Sequence, residues 1–354
     1  MTDILLSADA EDADSPHYLR ALTDMADRRT VVAGAAIYTD NGIKLVEKGA
    51  RIDSRLYDRL VQHKLREPID RHLSIENPVD VPALLALGQT LIEQETLPAM
   101  LAEALGSGAR LLAPLRSLPL PSAMACKLTV MRDQRPTLFQ HSLVMTTVAV
   151  FLALKSGLSE RDCSTVAAAA LLHDLGVLHM DPAWHDPANK ITGAGRKQLL
   201  AHPVTAMLII REQNIYPRSV EQAVLEHHEC MDGSGYPRRL QREQMSPQAR
   251  MLAIADIFLI VSANNERLVG AIVDAIEEKL IEVDKLRPLR REGDRENRWV
   301  LLDYGDVVVH VQHSEERELY ALERLWRDCP VIDLELPDDQ QHEPAEVRAA
   351  TASD

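Results

Sequence analysis

This chain of 354 residues has few aromatic side chains and no excess of basic ones. Aromatic residues make up 4% and hydrophobic residues 46%, so its core must be built mainly from aliphatic side chains. The net charge of −15 argues against general binding to a phosphate backbone, which requires clustered Lys and Arg. We therefore expect no direct DNA binding.

Paired cysteines and long apolar runs are also missing. Cys126, Cys163, Cys230 and Cys329 are scattered and form no C-x-x-C pair, so neither a disulfide framework nor a zinc ribbon is indicated. No apolar run reaches the ~18 residues of a membrane span, and the N-terminus lacks a basic region followed by an apolar one. The sequence predicts a reduced, cytoplasmic protein with no membrane partner.

The patterns that are present predict a multi-domain α+β protein. The predicted parts are an N-terminal hairpin-plus-helix module (1–80, in which 1–30 form a frayed polar arm with a short helix), a helical linker (81–121, punctuated by Pro114, Pro119 and Pro121), an all-α bundle (122–258), an α/β segment (259–336) and an acidic, disordered tail (337–354).

Turn and helix signals fill in these parts. Asn41-Gly42 between Val31–Thr39 and Ile43–Val46 predicts a β-hairpin, and a helix is expected over Ser54–His63. Pro203 falls inside a helix predicted over 195–211 and should reset or kink it.

The stretch His227–Pro237 carries the strongest chemical signal. Its two adjacent histidines close a helix predicted over Ser219–Glu229, and neighbours on a helix point ~100° apart. The pair can therefore serve two metals, or one metal and one substrate group. Gly233 and Gly235 lack Cβ and let the loop approach a ligand closely.

More histidines and two aspartates lie on or at the ends of five predicted helices. Helix bundles build metal sites by aiming such side chains inward, and imidazole with carboxylate suits iron, manganese, zinc or nickel. A single histidine on an apolar face is more often a satisfied core residue. The candidate ligands are His141, His173, Asp174, His202, His227, His228 and Asp256.

His173-Asp174 resembles the signature of the HD metal-dependent phosphohydrolases, and His227–Pro237 resembles the loop of their HD-GYP subgroup. The resemblance covers roughly residues 122–258 and implies hydrolysis of cyclic di-GMP or a related phosphoester by two divalent ions. It implies that all seven candidates ligate metal, that Asp174 bridges the ions, and that His173 and Asp174 are catalytic. The implied substrate loop consists of Asp232, Gly233, Gly235, Tyr236 and Pro237.

The chain departs from the HD-GYP pattern in two places. Val177 stands where the family usually has a lysine that contacts a substrate phosphate, and Leu259, Asn265 and Leu268 replace a downstream aspartate and basic residues. Thr137 stands where some members have a glutamate for a third metal, which favours two metals here.

The C-terminal part resembles the ribosomal silencing factor, or Iojap, family over about 256–336. The matching runs are Asp256–Ser262, Arg290–Gly293, Trp299–Val311 and Glu315–Trp326. The resemblance implies an α/β domain that binds the large ribosomal subunit, although the family's first helix and first strand are missing. The residues expected to face the ribosome, unless they are ordinary core and turn residues, are Trp299, Tyr304, His310 and Tyr320.

Local patterns also place elements in this part. A helix is predicted over Asn265–Val283 with Leu268, Ile272, Ile276 and Leu280 in one apolar stripe, and Ser314 is expected to cap a final helix. The missing first strand should leave the sheet with an unpaired edge.

Three functions remain open from the sequence. The chain is a metal-dependent phosphodiesterase, a ribosome-binding module that represses translation, or an inactive sensor that binds metal and nucleotide without turnover.

Overall fold

The computed structural model describes residues 14–185, 193–231, 233, 235–263, 265–284, 287–288, 290–293, 296–303 and 308–316. It confirms the α+β class, with a helical bundle between small sheets. Asp232, Tyr304, Tyr320 and the acidic tail lie outside these residues.

The N-terminal module begins with helix α1 (Pro16–Arg28), which starts where the Ser15 side chain accepts a hydrogen bond from the Tyr18 amide. The short helix expected in the polar arm over 1–30 is therefore confirmed, and it buries an apolar face that includes Leu22 and Met25.

Four short strands form two separate pairs in this module. They are β1 (Val31–Ala33), β2 (Ile37–Tyr38), β3 (Lys44–Val46) and β4 (Leu73–Ile75). The hairpin is confirmed as β2 with β3, but the single predicted strand Val31–Thr39 is wrong. The chain bends at Gly34-Ala35, so β1 pairs with the distant β4 instead.

The central part is helical, as predicted. Its helices, after α2 (Tyr57–Val61), are α3 (Val81–Gln94), α4 (Thr96–Ala104), α5 (Gly108–Arg116), α6 (Ser122–Gln134), α7 (Pro136–Lys155), α8 (Glu160–Leu172), α9 (Gly193–Glu212), α10 (Arg218–Glu226) and α11 (Pro247–Ile257). Pro114 lies inside α5 and not in a linker, and α9 continues through Pro203, so the helix is not reset there.

Helix α7 is long and apolar enough to cross a membrane by length and composition. However, 61% of its apolar window is buried inside the protein, and its neighbours include α6, α8 and α11. It is therefore a core helix of the bundle, and it carries His141 near its N-terminal end.

The C-terminal segment joins the bundle without a loop, because α11 ends at Ile257 and strand β5 (Phe258–Ala263) follows at once. The remaining elements are α12 (Glu266–Asp284), β6 (Arg290–Glu292), β7 (Trp299–Asp303) and β8 (Val308–His313). The strand order is β5-β8-β7-β6, with β5 and β8 parallel. Among the described residues, β5 is thus an edge strand, as expected.

The apolar stripe of α12 is shifted by one residue from the prediction. Val269 and Val273 are fully buried against the sheet, whereas Leu268 is 44% exposed. Ile272 and Ile276 pack at the side of this small core. Apolar residues at both 268 and 269 fit a helical period, so the sequence alone does not fix the rotation of the helix. His313 Nδ1 accepts the Glu315 amide hydrogen beside the predicted cap Ser314, and the predicted final helix lies outside the described residues from 317 onward.

A buried group of charges ties the N-terminal module to the bundle. Lys127 Nζ lies 2.6 Å from Asp70 Oδ2 and 4.0 Å from the centre of the Tyr18 ring. The Tyr18 hydroxyl donates to the same carboxylate at 3.3 Å. Asp14 joins this group by accepting the Ile69 amide hydrogen at 3.0 Å. These contacts link α1, α6 and the 3-10 turn before β4.

The Asp14 carboxyl should make stability depend on pH. Burial, and then repulsion from Asp70, raises its pKa to about 7 from 3.8. The folded state therefore binds the proton more tightly than the unfolded state, and stability is lost as pH rises from about 4 to about 7. The Asp14→Asn variant should flatten this dependence and add at most about 4 kcal/mol to the free energy of unfolding at pH 8. Urea denaturation at pH 5 and pH 8 measures it, with the exposed Asp58→Asn as control. An unchanged pH profile in Asp14→Asn would contradict this assignment.

Candidate metal centre

Five histidines and one aspartate meet at the centre of the bundle, and they form two groups that could each hold a metal ion. Within each group the ligand atoms lie within 4.8 Å of one another. The first group is His202, His227 and His228, and the second is His141, His173 and Asp174. These residues come from α7, α9 and the C-terminal ends of α8 and α10.

Three of the imidazoles are oriented by the backbone. The Nδ1 atoms of His173, His202 and His227 lie 2.8, 2.6 and 2.6 Å from the carbonyl oxygens three residues earlier in the chain. A carbonyl only accepts, so each Nδ1 holds the ring proton and donates it. In the neutral ring, Nε2 then carries a lone pair. Metal-binding histidines commonly have this second hydrogen bond, which fixes the tautomer and the ring orientation.

The Asp174 carboxylate lies between the two groups. Its Oδ2 is 3.0 Å from His173 Nε2, and its Oδ1 is 3.3 Å from His202 Nε2 and 3.9 Å from His227 Nε2. Burial raises the pKa of Asp174, but His173 and His202 outweigh burial and hold the pKa well below its ordinary value. The group is therefore ionised, with one oxygen directed to each side.

The adjacent histidines do not diverge as predicted. The ring centres of His227 and His228 are only 4.1 Å apart, and both belong to one ligand group. His227 keeps helical backbone angles just after α10 ends at Glu226, so the two side chains leave the backbone in different directions and their rings converge through the side-chain torsions. Burial lowers the pKa of both rings well below the ordinary value, which keeps them neutral.

The donor chemistry fits a metal ion. His202 Nε2 and His227 Nε2 are 3.3 Å apart, so two neutral rings with protonated Nδ1 atoms would bring two lone pairs face to face. A cation between these atoms would remove the repulsion, and neutral imidazole with carboxylate is a donor set for transition metals.

Two buried glutamates shape the loop after the histidine pair, and the sequence did not single them out. Glu229 accepts the amide hydrogens of Arg238 and Leu240 at 2.6 and 2.8 Å. Glu226 accepts the Ser246 amide hydrogen at 2.8 Å and pairs with the Arg238 guanidinium. Both carboxylates are at most 2% exposed. The signal in the sequence was that these two acidic residues flank the adjacent histidines at a helix end. A buried carboxylate there requires a hydrogen-bonding or charged partner.

The loop folds back over the histidines. The Tyr236 ring stacks on the His228 ring with centres 4.8 Å apart and planes at 26°. Gly235 is required for this fold, because a Cβ there would lie 2.2 Å from the Cys230 amide nitrogen. Gly233 has a φ of +81°, which suits glycine. Four of the five predicted loop residues, the exception being Asp232, thus lie in a segment held against the ligand groups.

Gly176 and Val177 follow Asp174 in a 3-10 turn over Leu175–His179. A Cβ on Gly176 would lie 2.1 Å from the His202 carbonyl oxygen, so the turn is packed directly against α9. Val177 is only 3% exposed and belongs to the apolar core. The position where the HD-GYP pattern has a lysine therefore packs into the core.

The two ligand groups include neither Asp256 nor the predicted ribosome-facing residues among the described side chains. Asp256 lies on α11, and its side chain is outside the described part of the structure. In the C-terminal segment, Trp299 Nε1 donates to His310 Nδ1 at 2.9 Å across neighbouring strands. Burial lowers the pKa of His310.

Comparisons with known families match two overlapping parts of the chain. The family model for the HD domain matches residues 125–268, and the model for the ribosomal silencing factor during starvation matches residues 240–354. The helical bundle with its histidine and aspartate cluster is thus an HD domain.

Individual relatives match either half. The ribosomal silencing factor RsfS of Halalkalibacterium halodurans is 48% identical over 82 residues, which are 23% of this chain and 69% of that protein. The chain belongs to the ribosomal silencing factor family through this C-terminal part.

The HD half is similar to two cyclic dinucleotide phosphodiesterases. The 3'3'-cGAMP-specific phosphodiesterase 3 of Vibrio cholerae is 26% identical over 210 residues, which are 57% of this chain and 45% of that protein. The cyclic di-GMP phosphodiesterase response regulator RpfG of Xanthomonas campestris is 34% identical over 115 residues, which are 32% of this chain and 30% of that protein. The chain spans less than half of either phosphodiesterase.

The Gly176→Ala variant should disturb the candidate metal centre. The added methyl group would push the 3-10 turn away from the His202 carbonyl, and Asp174 begins that turn. We expect metal content and affinity to fall about tenfold or more, as for other changes behind metal ligands. Gly193→Ala, where a Cβ would meet open space, is the matched control. Elemental analysis of both purified variants decides, and full metal content in Gly176→Ala would refute the packing argument.

Proposed function

We propose that this chain is a metal-dependent phosphodiesterase that hydrolyses cyclic di-GMP or a related phosphoester at a two-metal site. The observation that carries the proposal is the convergence of backbone-oriented imidazole nitrogens on both oxygens of one buried carboxylate. The similarity to cyclic dinucleotide phosphodiesterases supports the substrate class.

Each ligand group would hold one divalent ion, iron, manganese or another transition metal. His141 and His173 would serve one ion, and His202, His227 and His228 the other, with Asp256 as a further ligand. Asp174 would bridge the two, because its oxygens face opposite groups. Two such metal ions supply Lewis acidity and an activated water for displacement at a phosphoryl group.

The chain's own residues would orient the reactants. The Nδ1–carbonyl bonds hold the imidazoles in one tautomer, so no ring must turn during the reaction. Glu229 and Glu226 fix the loop that carries Tyr236, which can cover the site next to His228. Asp232 also belongs to the proposed substrate loop. His173 and Asp174 would be the catalytic pair.

The grip on the substrate must differ from the HD-GYP pattern. With Val177 buried, no cation is available at that position, so phosphate charge would be met mainly by the metals. We place this activity in the cytoplasm, with a cyclic dinucleotide as the small-molecule partner.

Asp174→Asn tests the proposal at its centre. The amide keeps the shape but loses the charge that would bridge two ions, so hydrolysis should fall at least about 100-fold and metal content should drop from two per chain. Wild type, His173→Ala and Asp174→Asn are compared by elemental analysis and by product detection with cyclic di-GMP under reducing, anaerobic conditions. The exposed His63→Ala controls for loss of a histidine elsewhere.

Three outcomes separate the readings. Two metals and a linear dinucleotide or GMP, both lost in Asp174→Asn, support the phosphodiesterase. Hydrolysis that persists in His173→Ala and Asp174→Asn refutes the proposed phosphodiesterase site. Metal and nucleotide binding without product identifies a sensor.

A second function is favoured by the 48% identity of the C-terminal part to a ribosomal silencing factor. We propose that this part, with Trp299, Tyr304, His310 and Tyr320 facing the partner, binds the large ribosomal subunit and represses translation. Co-sedimentation with large subunits at low salt should detect it, because polar contacts are least screened there. Asp174→Asn, which lies in the other half, should sediment like wild type. No co-sedimentation at low salt would rule this function out.

A further inference from the structure

Proline 203 lies in the middle of a helix, where proline is strongly unfavourable. Helix α9 runs from Gly193 to Glu212 without a break, and Pro203 is buried within it. Proline has no backbone N–H, so it cannot donate to the carbonyl four residues earlier. In α9 that carbonyl belongs to Leu199.

The same carbonyl orients a candidate metal ligand. His202 Nδ1 donates to the Leu199 oxygen at 2.6 Å, which leaves His202 Nε2 facing Asp174 Oδ1 at 3.3 Å. In an uninterrupted helix the residue-203 amide would use this oxygen. The Leu199 oxygen therefore lacks its usual amide donor and accepts the hydrogen bond of His202 in its place.

The two comparable histidines need no proline. His173 and His227 donate to Ala170 and Val224, which lie in the last turns of α8 and α10. Carbonyls in the last turn of a helix have no intrahelical amide partner. His202 alone among the three sits in the interior of its helix, where carbonyls are normally taken.

We propose that Pro203 is a positioning residue for the metal centre, which frees the Leu199 carbonyl so that it can hold His202 in the metal-binding tautomer. The inference rests on the proposed metal site. The orientation of His202 thereby explains why an unfavourable proline lies in the middle of this helix.

The Pro203→Ala variant distinguishes a positioning role from a purely structural one, because only a positioning role predicts a higher Tm together with weaker metal binding. The new N–H should complete the helix and raise Tm, while competing with His202 for the Leu199 oxygen. Affinity for Co²⁺ should fall about tenfold, the lower end for changes behind a ligand, because a carbonyl can accept two bonds. The d–d absorption spectrum of bound Co²⁺ should change as well. Competition with a chelator measures the affinity without any substrate.

Pro114→Ala is the matched control. Pro114 also lies inside a helix, α5, and its replacement gives that helix an N–H opposite the Arg110 carbonyl. Co²⁺ affinity and spectrum should stay as in wild type. A rescue variant carries the α-hydroxy analogue of alanine at position 203, which also lacks the N–H but has no proline ring. It should restore wild-type affinity.

The outcomes are distinct. Co²⁺ affinity within about twofold of wild type in Pro203→Ala, or an equal loss in Pro114→Ala, overturns the role of Pro203. Failure of the rescue variant overturns it too, by assigning the effect to the ring. If wild type binds no Co²⁺, the metal site and this inference both fall. Normal Co²⁺ binding without hydrolysis refutes only the phosphodiesterase, and the positioning role stands.

Discussion

The candidate centre depends on three backbone carbonyl oxygens that accept hydrogen bonds from imidazole Nδ1 atoms. Each bond places a proton on Nδ1 and fixes the ring, and so turns three Nε2 atoms toward Asp174. Without these bonds a buried neutral imidazole could adopt either tautomer and rotate. The centre is therefore set as much by where helices α8 and α10 end, and by Pro203 in α9, as by the ligands themselves.

Close backbone contacts hold the surrounding turns against the oriented histidines. Gly176 lets the turn after Asp174 touch the His202 carbonyl, and Gly235 lets the loop after His228 touch the Cys230 amide. On the opposite side of the first turn, the His179 ring stacks on Tyr18, with centres 4.9 Å apart, next to the buried Lys127–Asp70 pair. The N-terminal module therefore packs against the same turn that carries Asp174, and is part of the support of the centre.

The sequence predicted the ligand set more readily than its geometry. His173-Asp174 and the loop His227–Pro237 form recognisable motifs, so the cluster of six residues could be anticipated. The close approach of the His227 and His228 rings could not, because it depends on side-chain torsions and on tertiary contacts around the end of α10, such as those of Glu226. The sequence also predicted a reset or a kink at Pro203, and α9 continues through that residue. Helix propensity includes the unfavourable free energy of a mid-helix proline. It does not include the hydrogen bond that His202 makes to the carbonyl that the proline leaves free.

The two halves of the chain meet in one continuous element, and this limits how independent they can be. Leu252 of α11 is fully buried in the bundle core, and one helical turn and a half later β5 pairs with β8 in a sheet whose core is separate. With no loop between Ile257 and Phe258, a displacement of α11 must move β5 or strain the junction. Asp256 lies at this junction and is also a proposed ligand. With Asp256 as a ligand, as proposed, one helix end would serve both the metal centre and the start of the silencing-factor sheet.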